Sequence, residues 1–315
     1  MSNPKIIAVI GATGAQGRGL VEAILSDPHG AFRARAITRD ANSEAAKALK
    51  AQGAEVVEAN LDDPHSIRRA FEGAYGAFCV TFYWAHMSPV KEITHIQNMA
   101  QAAAEAGLEH VVWSTLEDTR KWIPLSDDRM PTLMGHFKVP HFDAKGEADR
   151  FFVNAGVPTT FLLATFYWDN FIHLGMGPQK TEDGALAITF PMGQEKLAGI
   201  AAEDIGKCAY SLFQGGQQYV GKFVGIAGEH CSGDEMAQQL TQALGQTVRY
   251  QVVSPEQYRG FGFPGADDVA NMFQFYRDFS QVFLASRDVE VTRGLNPHLL
   301  TFSKWLQKHG GQIPV

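Results

Sequence analysis

The chain has 315 residues, a net charge of −7, 45% apolar residues and 19% charged residues. This is the composition of a globular protein with a sizeable core, and the length suits one large domain or one domain with a smaller appendage. The acidic balance excludes nucleic acid as a direct ligand, because phosphate binding needs a basic surface. No apolar run reaches membrane-spanning length and the first predicted strand begins almost at once, so we expect a cytoplasmic protein without a signal peptide or a membrane partner.

The opening stretch from Lys5 to Leu25 predicts a buried strand, a glycine-rich turn and an amphipathic helix. In this context the first glycine allows a tight turn and the second lets the backbone approach a pyrophosphate at the helix N-terminus. The spacing is G-x-x-G-x-x-G, and the residues are Gly11, Ala12, Thr13, Gly14, Ala15, Gln16 and Gly17. We predict a dinucleotide site over this turn, with a purely structural turn as the alternative.

The second predicted strand, FRARAITRD, ends at the position that distinguishes the two dinucleotides. An acidic residue there would hold the ribose hydroxyls of NAD, whereas Arg39 offers a planar cation for a 2′-phosphate and the adenine face. Asp40 follows directly and could grip a ribose. We therefore predict NADP(H), with NAD(H) as the alternative cofactor and a solvated strand end as the structural interpretation of Arg39.

The third predicted strand, AEVVEANL, brings Leu61 and Asp62 to the edge of the sheet where ligands bind in open α/β folds. Asp62 is thus a candidate adenine contact. An equal alternative is that Asp62 or Asp63 caps the helix PHSIRRAFEG.

The fourth predicted strand, GAFCVTFYW, ends in Thr81, Phe82 and Tyr83. This position lies beside the expected pyrophosphate and nicotinamide, although the aromatic residues could equally belong to the core. An alanine-rich helix from Ile96 to Ala106 leads to the fifth strand, HVVWSTLED, and this alternation predicts a doubly wound parallel sheet of the Rossmann type.

The second half of the chain is organised differently. The polar segment from Asp118 to Pro140 is predicted to be a functional or mobile loop. A helix from His141 to Asn154 and a sixth strand follow, and beyond residue 170 glycines and prolines punctuate a mixed α/β pattern. We predict a dinucleotide-binding domain over residues 1–165 and a smaller α/β C-terminal domain over residues 166–315. The alternative for residues 200–228 is a return to the first domain. Cys79, Cys208 and Cys231 lack metal-ligand spacing, so we predict buried thiols and no metal site.

The chain resembles the NmrA-like family of atypical short-chain dehydrogenase/reductase proteins and looks most like its NADPH-sensing members. The resemblance covers almost the whole length, in GATGAQG, ITR, GAEVVEANLDD, VTFYW, HFDAKGEADRFF, YWDN, GFPGADDVANMFQFY and LNPHLLTFSKWL. It implies an NADP-binding Rossmann domain with cofactor contacts at Gly11 to Gln16, Arg39, Leu61, Asp62, Thr81, Phe82, Tyr83, Lys145, Tyr167 and Asn170.

Two departures from the family pattern remove cations near the phosphates. Relatives carry further basic residues after the arginine, where this chain has the stretch from Asp40 to Ser43. They also carry a lysine near the start of the helix after the fourth strand, where Thr94 stands with Lys91 nearby. The preference for NADP over NAD is therefore expected to be weaker than in relatives.

The resemblance also shows what is missing. Active short-chain dehydrogenases use Tyr-x-x-x-Lys, in which the phenol exchanges a proton with the substrate, whereas this chain has His141-x-x-x-Lys145. The Lys145 cation disfavours an imidazolium at His141, so we expect a largely neutral ring that is a poor proton donor. Ser114 and Thr115 could orient a carbonyl. We therefore expect no efficient dehydrogenase activity and assign no firm catalytic residue; if the chain is active, the candidates are Lys145, His141, Thr115 and Ser114.

Three functions remain open. The first is a regulator or redox sensor that binds NADP(H) without turnover and acts through a protein partner or as a homodimer. The second is an NADPH-dependent reductase of a quinone or an activated carbonyl or alkene, with a pocket lined by aromatic side chains that could instead pack between domains: Phe82, Trp84, Phe166, Tyr167, Trp168 and Phe171. The third is a structural module whose nucleotide site is vestigial.

Overall fold

The structure, a computed structural model, describes residues 4–315. The strands in chain order are β1 (Lys5–Ile10), β2 (Phe32–Thr38), β3 (Glu55–Glu58), β4 (Gly76–Cys79), β5 (His110–Thr115), β6 (Thr159–Leu163), β7 (Phe166–Tyr167), β8 (Gln179–Lys180), β9 (Leu186–Phe190), β10 (Leu197–Ile200), β11 (Phe223–Gly225), β12 (Glu229–Cys231) and β13 (Val248–Val252).

The α-helices in chain order are α1 (Ala15–Leu25), α2 (Glu44–Ala51), α3 (Pro64–Phe71), α4 (Pro89–Glu105), α5 (Pro140–Asn154), α6 (Asn170–His173), α7 (Ala202–Gly215), α8 (Gly233–Leu244), α9 (Pro255–Arg259), α10 (Ala266–Asp278), α11 (Ser280–Ala285), α12 (Val289–Leu295) and α13 (Phe302–His309). Short 3₁₀ turns lie at Tyr83–Ala85, Thr119–Lys121, Gly216–Tyr219 and Gly310–Gln312. None of the helices within residues 4–315 combines the length and the apolar character that a membrane crossing needs.

The large sheet has seven strands in the order β11-β6-β5-β4-β1-β2-β3. The pairs from β3 through to β6 are all parallel. Chain order reverses on either side of β1, which is the switch point where open α/β sheets bind ligands. Most apolar side chains of β1, β4 and β5 are buried between the flanking helices, as parallel strands require. The predicted doubly wound sheet is therefore confirmed.

The chain divides into two compact units. The first contains the described residues up to Asp118 together with Ala144–Leu163 and Glu203–Val224, and the second contains Thr119–Asp143, Ala164–Ala202 and Gly225–Val315. The sequence predicted a domain boundary after residue 165, with residues 200–228 as a stretch that could return to the first domain. The structure differs from this prediction because the loop before α5 belongs to the second unit. Residues of α10 form hydrogen bonds with that loop.

The return of Glu203–Val224 to the first unit has a specific cause in the packing of α7 on α1. A Cβ added to Gly206 would overlap the backbone nitrogen of Leu20, and one added to Gly19 would lie 2.5 Å from the Glu203 carbonyl oxygen. Because both positions are glycine, the two helix backbones approach closely. A composition pattern cannot show this contact, which joins two distant helices.

Helix α4 begins earlier than its alanine-rich part indicates. The Ser88 hydroxyl accepts the Lys91 backbone N–H at 3.3 Å, and Pro89 occupies the first turn. The helix therefore starts at Pro89 rather than near Ile96. Its extra first turns carry Glu92 to the end of the sheet where the candidate site lies.

The segment before α5 is tied down by hydrogen bonds to its backbone. The Lys138 ammonium, 1% exposed, donates to the carbonyl oxygens of Asp127 and Met130 at 2.7 Å each. The Asn271 amide on α10 donates to Lys138 O at 2.5 Å, and the Gln274 amide donates to an adjacent part of the loop. Buried polar side chains thus satisfy the loop's backbone groups. A functional or mobile role for this segment stays a prediction.

Phe166 and Trp168, in and next to β7, pack in the core of the second unit. Phe166 stands between Phe190 and Phe273, with ring centroids 6.1 Å away in each case. Trp168 packs against Phe302 at 5.3 Å and is 2% exposed. These contacts assign Phe166 and Trp168 to packing within one unit. A pocket lined by the other aromatic candidates stays a prediction.

Candidate functional site

The turn between β1 and α1 has the geometry of a phosphate-binding loop. Gly11 has φ +64°, a left-handed conformation that favours glycine, and the Gly14 backbone N–H donates to Gly11 O at 2.8 Å. The Ala12 N–H donates to Ile37 O on β2 at 3.2 Å. Helix α1 starts at Ala15, and no side chain caps it. Its first backbone N–H groups are thus available to an anion.

The third glycine of the motif is required by packing. A Cβ on Gly17 would overlap the Gly11 carbonyl oxygen and approach Ala12 N at 3.0 Å. A Cβ on Gly14 would lie 3.3 Å from the same oxygen, which is tight but can be relieved. The G-x-x-G-x-x-G spacing therefore closes α1 onto the turn and leaves the middle of the loop open to a ligand.

At the end of β2, Arg39 and Asp40 are both exposed, and the Asp40 carboxylate takes part in a turn. The Asp40 carboxylate accepts the Asn42 backbone N–H at 2.8 Å, which holds it in a turn that leads to the Ser43 cap of α2. Arg39 is exposed and forms no ion pair within the part of the chain that the structure describes. The guanidinium is therefore the group that this strand end offers to a ligand.

The two aspartates after β3 have separate roles. Asp63 caps α3, since its carboxylate accepts the His65 backbone N–H at 3.0 Å. Asp62 lies 2.8 Å from His95 Nε2 and 3.0 Å from Lys91 Nζ. The hydrogen bond with His95 has the larger effect and the one with Lys91 the smaller, and together they lower the pKa of Asp62 below its usual value. Of the two alternatives for Asp62, the structure excludes the cap; its contact with an adenine stays a prediction.

Leu61 and Thr94, two other positions considered in the sequence, each take part in a hydrogen bond. The Leu61 carbonyl oxygen accepts from the Asn98 amide at 2.9 Å. Thr94 stands where relatives carry a lysine, and its hydroxyl donates to Val90 O at 2.8 Å within α4. The nearest replacement cation, Lys91, already has Asp62 as its partner. The local charge is thus balanced rather than positive.

The end of β4 carries the most buried polar cluster of the site. The Thr81 hydroxyl donates to Glu92 Oε1 at 2.5 Å and accepts from Lys145 Nζ. Lys145 Nζ lies 2.9 Å from the same Glu92 oxygen, and Glu92 is fully buried. Phe82 is 61% exposed, whereas Tyr83 is buried, so the two aromatic residues of this segment have different environments.

Glu92 was not identified from the sequence. A single glutamate in the first turn of a helix is ordinarily a surface residue that interacts with the helix dipole. No local signal distinguishes it, because its partners come from the end of β4 and from α5.

The two candidate catalytic residues at the end of β5, Ser114 and Thr115, are buried. The Thr115 hydroxyl donates to Asp149 Oδ1 at 2.7 Å, and Trp113 Nε1 donates to the same oxygen at 2.8 Å. Thr115 is fully buried and Ser114 is 2% exposed. These contacts favour a packing role for Thr115; the catalytic roles of both residues stay predictions.

In the second unit, the imidazole of His141 is bound by a carboxylate. His141 Nδ1 lies 2.6 Å from Asp268 Oδ1, and its backbone N–H donates to Asp268 Oδ2 at 3.2 Å. The carboxylate can only accept, so Nδ1 carries the proton in this pair. Asp268 on α10 lies 127 residues further along the chain, so the sequence carries no local signal for this contact, and only the Lys145 cation was expected to act on the ring.

The remaining cofactor candidates also lie in the second unit. Tyr167 pairs with Ile200 in the small sheet of β7, β10 and β12, and is half-buried. Asn170 opens α6 and accepts the Leu174 backbone N–H through its carbonyl oxygen at 3.1 Å. Their contacts with a cofactor stay predictions.

No cluster of metal-ligating side chains occurs among residues 4–315. The three cysteines are unpaired by disulfides and buried, as the sequence predicted. Burial raises the pKa of each thiol, to about 12 for Cys231, so all three remain protonated at neutral pH.

The sheet order, the glycine turn and the charged strand ends define a Rossmann-type dinucleotide-binding fold. Residues 3–306 match the model of the NmrA-like family. The chain belongs to the NmrA-like family, and the family prediction is confirmed.

Curated relatives and solved structures are similar over nearly the whole chain. The NmrA-like family domain-containing oxidoreductase hkm9 of Aspergillus hancockii is 26% identical, covering 97% of each chain. The corresponding protein ptmS of Penicillium ochrochloron is 26% identical over 87% of this chain and 84% of its own.

Among solved structures, NmrA, a negative transcriptional regulator, in complex with NADP has a TM-score of 0.77 at 21% identity, covering 98% of this chain and 95% of its own. Triphenylmethane reductase from Citrobacter sp., complexed with NADP(H), has a TM-score of 0.74 at 21% identity, covering 96% and 99%. At these identities the solved structures support the fold.

Proposed function

We propose that this protein binds NADP(H) and acts as a redox-dependent regulator of a protein partner, without efficient dehydrogenase activity. The observation that carries the proposal is a complete nucleotide cradle combined with His141 at the position where active relatives hold a tyrosine. The cradle would let the protein respond to the cofactor, and the missing phenol removes the usual proton donor.

The cofactor assignment is supported by three features of the first unit. The uncapped N-terminus of α1 suits the pyrophosphate, and Gly14 allows the backbone to approach it. Arg39 suits a 2′-phosphate, because a guanidinium forms bidentate contacts with phosphate oxygens. NADP also occurs in two of the similar solved structures, NmrA and triphenylmethane reductase.

A regulator must bind its partner differently in the two cofactor states, because a ligand shifts an equilibrium only by its differential affinity. The first test is therefore titration of the full chain with NADPH and with NADP⁺ by calorimetry. We expect dissociation constants well below about 1 mM for at least one form. Weaker binding of both forms, together with an absorbance spectrum free of co-purified nucleotide, would contradict the proposal and favour a vestigial site.

The second test uses the protein loaded with either redox form as bait. We expect a partner, or a second copy of this chain, to be retained in one cofactor state and released in the other. Light scattering on the same samples measures the mass of the assembly. Equal retention in both states would contradict a redox-dependent regulator.

A reductase is the second candidate, favoured by the contact between His141 and Asp268. An imidazole held by a carboxylate is a common proton-transfer group, and relatives of this chain are named oxidoreductases. NADPH absorbance followed over quinones and activated carbonyls or alkenes separates the two candidates. Turnover above about 1 s⁻¹ that falls in both His141→Ala and Asp268→Asn would replace the regulator by the reductase.

A further inference from the structure

Lys145 is held in a closed ring of three polar side chains. Its ammonium donates to the Thr81 hydroxyl and lies 2.9 Å from Glu92 Oε1, while the Thr81 hydroxyl donates to that same carboxylate oxygen. The ring face of Trp113 lies 4.9 Å from the ammonium on another side. Of the three donors of an ammonium, two are directed to Thr81 and Glu92, so this arrangement fixes the direction of the Lys145 side chain.

The charges within this ring cancel. Burial opposes ionisation of Glu92, but Lys145 and the Thr81 hydroxyl together hold the pKa of Glu92 below its usual value, so the carboxylate is ionised at neutral pH. His86 Nε2 lies 3.3 Å from the other carboxylate oxygen, and burial lowers the pKa of His86, which keeps that ring neutral. One cation and one anion therefore occupy the buried cluster.

A buried ion pair is weak evidence for stability, because desolvation offsets the attraction. Its more direct consequence is electrostatic: a ligand next to Lys145 meets a neutral pair instead of a net positive charge. Glu92 is fully buried and Lys145 is 8% exposed, so solvent screens neither charge effectively.

The ring lies on the side of the sheet that would take the second nucleotide. The glycine turn after β1 and Arg39 after β2 serve the first nucleotide, and doubly wound folds bind the second one over the other half of the sheet. Thr81 follows β4, Glu92 lies in the first turn of α4, and Lys145 lies on α5, the helix that follows β5. If NADP(H) binds as proposed, its nicotinamide half faces this ring.

We propose that Glu92 sets the relative affinity of this site for oxidised and reduced cofactor by cancelling the charge of Lys145. The oxidised nicotinamide ring carries a positive charge and the reduced ring is neutral. With Glu92 present, the oxidised ring meets no net repulsion. Without its charge, Lys145 repels the oxidised form selectively. The inference rests on the proposed NADP(H) function.

The experiment measures dissociation constants of the full chain for NADP⁺, NADPH and adenosine 2′,5′-bisphosphate, a probe with only the first half of the cofactor. In Glu92→Gln we expect the ratio of the NADP⁺ to the NADPH dissociation constant to rise about tenfold, the effect of one unscreened charge near the ring. In the double variant Glu92→Gln/Lys145→Met, whose pair is again neutral, the ratio should return to within about threefold of wild type. Binding of the half-cofactor probe should not change in either variant.

The matched control is Glu105→Gln, which makes the same chemical change at the exposed far end of α4 and should leave the ratio unaltered. A Glu92→Gln variant that weakens NADP⁺ and NADPH equally overturns the inference, since a merely structural role predicts that result. If Glu92→Gln does not fold, the double variant serves as the test instead. A tenfold rise in its ratio of the NADP⁺ to the NADPH dissociation constant overturns the inference. Wild type that binds neither dinucleotide overturns the proposed function, whereas wild type that binds both dinucleotides, with a ratio that Glu92→Gln leaves unchanged, overturns the inference alone.

Discussion

His141 and Asp268 form a buried pair in which one carboxylate binds both the imidazole Nδ1, at 2.6 Å, and the backbone N–H of the same histidine, at 3.2 Å. Asp268 lies in the first turn of α10, and His141 lies in the first turn of α5. The carboxylate thus fixes the imidazole orientation and also satisfies a backbone donor at the start of α5.

Replacing Asp268 by alanine should remove the carboxylate that accepts both the backbone N–H and the imidazole Nδ1 hydrogen of buried His141. We expect Asp268→Ala to lower the free energy of unfolding by about 2–3 kcal/mol, measured by guanidinium denaturation. The neighbouring Asp267 is exposed, and Asp267→Ala should change stability by less than about 0.5 kcal/mol. Equal losses in the two variants would show that the buried contacts contribute nothing specific.

Arg39 is expected to distinguish the 2′-phosphate of NADPH from the hydroxyl of NADH. Arg39→Gln should weaken NADPH binding about tenfold to a hundredfold, because it removes a charge-assisted hydrogen bond, and should change NADH binding little. Calorimetric titration with both cofactors measures the difference. Arg33→Gln, an exposed position on the same strand, serves as the control. A parallel loss of NADPH and NADH affinity in Arg39→Gln would assign the residue to another role.

Gly17→Ala tests the packing of α1 on the glycine turn. The added methyl group would overlap the Gly11 carbonyl oxygen, so the turn must shift. We expect a loss of about 1–3 kcal/mol in the free energy of unfolding and weaker binding of either dinucleotide.

Its control is Gly294→Ala in α12, where a Cβ meets nothing within 4 Å. That variant should be neutral or more stable by up to about 1 kcal/mol, since alanine favours helix over glycine. Full stability and affinity in Gly17→Ala would mean that the turn tolerates a side chain.

His110 makes the stability of the first unit depend on pH. Burial lowers the pKa of this ring to about 4; Nε2 contacts the Thr160 hydroxyl at 2.8 Å, and Nδ1 has no hydrogen-bond partner within residues 4–315. The unfolded chain, with a pKa near 6.5, binds this proton first. The free energy of unfolding is therefore not reduced by this group above about pH 6.5. It declines as the pH falls towards 4 and then levels off, and the total loss is roughly 3 kcal/mol.

Denaturation curves between pH 4 and pH 7 measure this effect. His110→Gln should flatten the dependence in that window, whereas His65→Gln, at an exposed position, should not. An unchanged pH profile in His110→Gln would contradict the assignment.

Several features of the fold follow from neighbouring residues alone. The strand, glycine turn and helix around Gly11 were predictable, because periodicity and turn chemistry act over a few positions. Alternating strands and helices then lead to a doubly wound sheet with few alternatives. The start of α4 was missed because the alanine-rich part masked the Ser88 cap.

The sequence by itself determined the parallel sheet, the glycine cradle, the exposed cation at Arg39 and the membership of the NmrA-like family. Tertiary structure alone decided that Glu92 neutralises Lys145, that Asp268 binds His141, and that residues of α10 fix the loop before α5. The reason is physical: periodicity and turn preferences depend on neighbouring residues, whereas each of these contacts joins groups from separate elements. Burial then makes such partners decisive, because a charge removed from water takes its properties from the nearest side chains.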